Sequence, residues 1–187
     1  MGYPNVFRPL GFHPYKQGGR TNPQTVERPV AASRSAVGAA ASAILSVGDA
    51  YALDANGNAI HAGADAVVRG IVTGFRLQAV PSVMGGAGPV SQDQLVASDA
   101  GWVIGIEDPS AWFEVQADTF ATTNIGGSFD LLDAADDTTL RQSRQSLNVG
   151  VGAGLQFKAI GIKNSPADNA VGANAVVIVR LLQSELA

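Results

Sequence analysis

Turn-forming residues break this chain so often that no apolar stretch between them has room for a helix of ordinary length. From residue 43 onward, short β-branched or apolar runs alternate with turn signals: Gly48-Asp49, Asn56-Gly57, the loop 83–94, Asp108-Pro109-Ser110 and the polar run 133–139. Runs of this length and composition, bounded by Gly, Pro, Asn and Asp, read as strands. The expected strands are 43–47, 50–54, 67–77, 101–107, 111–118, 128–132, 147–151, 155–163 and 175–183. Gly70, Gly74, Gly161 and Gly172 mark bulges or bends, and 101–107 with 111–118 reads as a hairpin across Asp108-Pro109-Ser110. Many short strands with no helical period between them predict an all-β fold, an antiparallel β-barrel or sandwich. With 46% hydrophobic and 15% charged residues, the chain can fill such a core.

The first 35 residues have a different character. Five of the nine prolines (Pro4, Pro9, Pro14, Pro23, Pro29) fall there, with Tyr3, Phe7, Phe12 and Tyr15 and no strand or helix period. Each proline fixes φ and removes a donor, which bars the segment from a sheet interior or a long helix. The expected organisation is an extended N-terminal arm over residues 1–35 and a β-barrel or sandwich domain over 36–187, with residues 37–44 as a hinge, a first strand or a short helix. Charge divides the same way. Residues 1–36 hold five basic residues against Glu27, a net +4, whereas 37–187 hold seven basic and fifteen acidic residues, a net −8. A basic, aromatic arm on an acidic body predicts that the arm meets a partner. Its candidate contact residues are Tyr3, Phe7, Arg8, Phe12, Tyr15, Lys16 and Arg20.

Residues that could carry chemistry do not assemble into a recognisable constellation. The chain has no cysteine, so disulfides and thiolate metal sites are excluded. His13 lies in the arm and His61 in a stretch that reads as a surface turn, neither beside a nucleophile. Asp54, Asn56, Asn58 and Asp65 imitate a calcium loop, but Ala59 stands where the loop needs glycine. Gly85–Gly88 lacks the Lys-Ser/Thr of a phosphate loop, and the glycines of 150–154 precede a strand where a dinucleotide fingerprint opens a helix. Glu107, Asp108, Glu114, Asp136 and Asp137 read as solvated acids. No catalytic residue, cofactor or metal is expected. No apolar run approaches the length of a membrane span, and the acidic body opposes direct nucleic-acid binding.

The last expected strand, 175–182, is apolar on both alternating faces except at Arg180. A strand with one wet face alternates, so both faces are expected to be covered. The second cover is either another layer of the same chain or another subunit. The second alternative makes Val177, Val179 and Leu181 the candidate oligomer interface. Trp102 and Trp112 are expected in the core or at such an interface.

The stretch DPSAWFEVQAD (108–118), followed by NIGGSFDLL (124–132), resembles a pattern in structural proteins of tailed bacteriophages, the capsid decoration or cement proteins. In them a D-P-x-x-x-F-E-V-Q hairpin is followed by a polar turn, an N-x-G-x-x-x-D-L segment and a late V-x-V-x-V strand, here matched by 176–182. The resemblance covers about 101–183. It implies a non-enzymatic virion protein on the capsid, on its outer surface rather than its inner one, that binds the major capsid protein and itself, as a homo-oligomer and most simply a trimer. The alternative is a carbohydrate- or receptor-binding module on a virion or cell surface, with Trp102 or Trp112 stacked on a sugar.

Overall fold

The strands found in the computed structural model follow the turn punctuation of the sequence closely. It describes residues 11–19, 23–30, 44–64, 66–77, 94–95, 101–134, 142–150, 156–163 and 169–182. In chain order these form β1 (His13–Gly19), β2 (Thr25–Val30), β3 (Leu45–Ser46), β4 (Ala50–Leu53), β5 (Ala59–His61), β6 (Gly70–Leu77), β7 (Gln94–Leu95) and β8 (Gly101–Ile106). There follow β9 (Ala111–Gln116), β10 (Thr119–Phe120), β11 (Ser128–Leu132), β12 (Ser146–Asn148), β13 (Phe157–Ile162), β14 (Gly172–Ala173) and β15 (Val176–Leu181). One 3₁₀ turn, Thr122–Asn124, is the only helical element among the described residues. All strand pairs are antiparallel.

Two sheets carry the fold. One has six strands in the order β1-β9-β15-β13-β11-β12, the other five in the order β2-β8-β6-β4-β5. Their facing sides share one core. Phe113, Val115, Val177, Val179, Leu181 and Phe157 come from the larger sheet, and Ala50, Ala52, Ile60, Ile71 and Ile106 from the smaller. Period-2 alternation puts these side chains inward and their neighbours outward. The smaller sheet also buries its other face. Its outermost strands β2 and β5 come into contact, so the sheet rolls around a second cluster of Val30, Leu45, Tyr51, Ala59, Val72 and Val103. Bulges at Val72/Gly74 and Ala159/Gly161 give the local kinks that such curvature needs, and both fall at glycines the sequence marks.

Strands 101–107 and 111–118 exist as expected but do not pair with each other. β8 pairs with β2 and β6, β9 with β1 and β15. Asp108-Pro109-Ser110 is therefore a corner between sheets, closed by the Ala111 N–H donating to Asp108 O at 3.0 Å. The physical reason is burial. Ile106 ends one strand inside the common core and Ala111 and Phe113 begin the next inside it, so folding flat into a hairpin would strip one set of its partners.

The expected free arm over residues 1–35 is corrected for its described part. β1 is an edge strand of the larger sheet and β2 an edge strand of the smaller. An edge strand needs donors on one side only, which is why Pro14 and Pro29 are tolerated. Phe12, expected on a partner chain, is 1% exposed and stacks on Phe157 with ring centroids 4.5 Å apart. The chain reaches that position through Gly11, at φ +72°, where an added Cβ would overlap Gly48 O. The Phe12 N–H donates to the same carbonyl at 2.7 Å. Tyr15 is half-buried and Lys16 lies in β1. Tyr3, Phe7, Arg8 and Arg20 lie outside the described residues.

The two-faced last strand resolves in favour of a second layer within the chain. Val177, Val179 and Leu181 are buried in the inter-sheet core. They form no free face for another subunit, which corrects their assignment to an oligomer interface.

Candidate functional site

Three polar groupings stand apart from the apolar packing, two inside the molecule and one on its surface. The first centres on Glu107, which follows β8 directly and was expected to be a solvated turn acid. It is instead 6% exposed. Its Oε1 accepts from Arg28 Nε at 2.7 Å and Tyr51 Oη at 2.8 Å, and its Oε2 from Arg28 Nη2 at 2.8 Å and Arg69 Nε at 2.9 Å. Burial opposes ionisation of this carboxyl. The hydrogen bonds from Arg28 and Tyr51 and the two guanidinium charges outweigh it and hold Glu107 below the usual carboxylate range. Burial first, and the Glu107 charge second, push the Tyr51 phenol upward, so it stays a donor. The hydrogen bond to Glu107 raises Arg28.

Two glycines make room for this group. A Cβ on Gly105 would meet the Tyr51 ring and hydroxyl at 2.5 Å, and one on Gly70 would meet Ile106 O at 2.7 Å and Tyr51 Oη at 2.9 Å. Tyr51 is fully buried and tied through its hydroxyl, so it cannot swing aside. Gly105→Ala should therefore cost about 1–3 kcal/mol, a drop of several degrees in melting temperature for a chain of this size. Gly161→Ala, where the added Cβ meets nothing within 4 Å, is the control and should leave the melting temperature within a degree or two.

The second grouping joins the sheets. His61 was expected in a surface turn but lies in β5, 2% exposed. Gln145 Nε2 sits 3.1 Å from His61 Nε2 and donates to Ala62 O, while Gln145 Oε1 accepts from the Ala50 N–H at 2.6 Å. An amide nitrogen can only donate, which makes Nε2 the acceptor and places the imidazole proton on Nδ1, 3.6 Å from Asp133 Oδ1. Gln156 does the same work nearby. Its Oε1 accepts from the Leu131 N–H, and its Nε2 donates to Gly63 O and Ala66 O. Two buried amides thus pin Ala62, Gly63 and Ala66 to both sheets. Every one of these contacts is interior, which gives the grouping a structural role.

Asp54, the first residue of the calcium-like pattern, closes the β4–β5 hairpin. Its carboxylate accepts from the Asn56 and Asn58 N–H groups at 2.8 Å and from Asn58 Nδ2 at 3.0 Å. These bonds, the Asn58 side chain foremost, lower its pKa. Gly57 at φ +80° completes the turn. Asp65 lies outside the described residues.

The third grouping is on the surface, and there the tryptophans appear. Both were expected in a core or an interface, yet both are half-buried: Trp112 alternates outward between the core residues Ala111 and Phe113, and Trp102 shares the strand face of Ile106 but is not part of the apolar cluster. Trp102 lies under the Arg76 guanidinium, 4.2 Å from its centroid, and Arg76 Nη2 bonds Glu27 Oε2 at 2.5 Å. On the larger sheet, register aligns Trp112, Arg180, Lys158 and Ser128 in one row across β9, β15, β13 and β11. The adjoining row holds His13, Glu114 and Ile178. Lys163 Nζ reaches Glu114 at 2.6 Å. That ion pair links β9 to the residue after β13, across the intervening β15, on the face where Ile178 is buried opposite Glu114.

No family model, curated protein or solved structure matches this chain. The surface of the larger sheet is the candidate site, because both interior groupings centre on buried side chains that bond residues of the fold itself. Sequence reading missed Glu107, His61, Gln145 and Gln156 as interior residues. Nothing in their neighbours distinguishes a buried polar residue from an exposed one. Arg180 carried a legible signal, being the one charge in an apolar strand.

Proposed function

We propose that this chain is a structural virion protein that binds and stabilises an assembled capsid shell, a decoration or cement protein. The observation that carries the reading is the resemblance of residues 108–118 and 124–132 to that group, taken with where those residues lie. They make the corner into β9, β9 itself, the last residue of the 3₁₀ turn and β11. Together with β13 and β15 they form most of the larger sheet and its outer face. A rigid two-sheet body with such a surface suits a protein that clamps neighbouring subunits and does no chemistry.

In this reading the partners are the major capsid protein and other copies of the chain, as a homo-oligomer, most simply a trimer, on the outer surface. With Phe12 drawn into the core, anchoring by the N-terminal segment falls to Tyr3, Phe7 and Arg8. Tyr3 stands eight residues before Gly11, a span of at most about 28 Å, enough to touch an adjacent subunit. Purified protein is expected to co-sediment with intact heads and not with free shell subunits, and Tyr3→Ala/Phe7→Ala/Arg8→Ala should weaken that binding at least tenfold. Absence of head binding, together with retention on a glycan array, would favour a carbohydrate- or receptor-binding module instead.

A further inference from the structure

We propose that the row Trp112–Arg180–Lys158 on the outer face of the larger sheet is a docking site for a carboxylate side chain, supplied by an acidic polypeptide segment of a partner chain. The argument is one of completion. The molecule satisfies comparable surface charges twice over. On the smaller sheet a tryptophan, an arginine and a carboxylate form a closed set, Trp102–Arg76–Glu27. On the larger sheet Glu114 closes on Lys163. The two sets of strands correspond: each tryptophan lies on the strand next to the edge, and its arginine lies directly across on the third strand.

Arg180 and Lys158 are cross-strand neighbours, about 5 Å apart along the hydrogen-bonding direction. Neither forms an ion pair with a carboxylate among the described residues. Arg180 Nε is buried and has no hydrogen-bond acceptor among the described residues. A half-buried guanidinium held beside another cation, with a donor left unsatisfied, costs stability where it stands. An incoming carboxylate would supply the missing member of the set, and Trp112 offers an apolar flank for its chain. Two cations on a body of net −8 over residues 37–187 match one or two carboxylates and not a phosphate ladder. The choice of a polypeptide as the carboxylate's source rests on the virion reading above; the site does not.

The test uses the full chain carrying Trp102→Phe, which leaves Trp112 as the only tryptophan. Poly-L-glutamate at low salt is expected to change its fluorescence saturably. The apparent Kd should rise at least tenfold with Arg180→Gln, severalfold with Lys158→Gln and not at all with Arg76→Gln, and binding should weaken as salt is added. Arg180→Met should leave the melting temperature unchanged or raise it, since it removes an unsatisfied donor. A fall of several degrees would assign Arg180 a structural role and overturn the proposal. So would the absence of a saturable response, Arg180→Gln binding as tightly as its parent, or tenfold tighter binding of oligogalacturonate or single-stranded DNA. Head co-sedimentation by Arg180→Gln separates the two claims. Loss of polyglutamate binding with head binding intact leaves the virion reading standing and removes the polypeptide of the shell as the occupant.

Discussion

A chain that begins at Ser35 is expected not to reach the native fold. Truncation there removes β1 from one sheet and β2 from the other, and takes Phe12 out of the core. Phe→Ala at such a site costs about 3–5 kcal/mol on its own, against a total stability of roughly 5–15 kcal/mol for a typical domain. The same cut deletes Arg28, which makes two of the four bonds that hold Glu107. The measurement is a thermal melt followed by near- and far-ultraviolet circular dichroism. The truncated chain should lack a cooperative transition, and full-length Phe12→Ala should melt on the order of 10 °C lower. A truncated protein that melts like the parent would show that both strands are dispensable.

Glu107→Ala should be the most damaging single polar substitution. It leaves the Arg69 and Arg28 guanidinium groups and the Tyr51 hydroxyl facing one another without an acceptor. Breaking a buried pair in this way costs roughly 3–5 kcal/mol. Arg28 is 28% exposed and screened by solvent, which moves the expectation toward the lower end. Acid titration provides an independent check. The Glu107 pKa is depressed in the folded chain, so the unfolded state binds the proton more readily. Its contribution is therefore fully present above the unfolded value near 4.5 and is lost as pH falls through the folded one. Glu107→Gln should be less stable at neutral pH and show a shallower loss of stability below pH 4.5 than the parent. Equal slopes would mean that Glu107 does not govern the acid response.

The all-β architecture was legible because turn chemistry is local. Asn56-Gly57 and the bulges near Gly74 and Gly161 fall where the sequence puts them. Pairing was not legible, because partners lie far apart in the chain. The corner at Pro109 has the turn residues of a hairpin, and only the shared burial of Ile106 and Phe113 decides between them. β1 and β2 hid for a related reason. Their prolines argue against a sheet interior and say nothing against its edge. On the surface, the Trp112 row could not be read before register brought residues 112, 158 and 180 together.

The position of β1 has a consequence for how the chain is made. Its partner strand lies roughly a hundred residues downstream, with His13 opposite Glu114. At ~5–20 residues per second of synthesis, the first strand waits on the order of ten seconds beside the ribosome before its template emerges. Through that interval an ordinary strand would be an open invitation to pair with a neighbouring nascent chain. Pro14 and Pro29 offer no amide hydrogen to such a neighbour, and proline on an exposed strand edge is a known guard against it. The residues that make the N-terminus look foreign to a sheet would then be its chaperone, keeping two early strands unattached until the molecule they belong to has been completed.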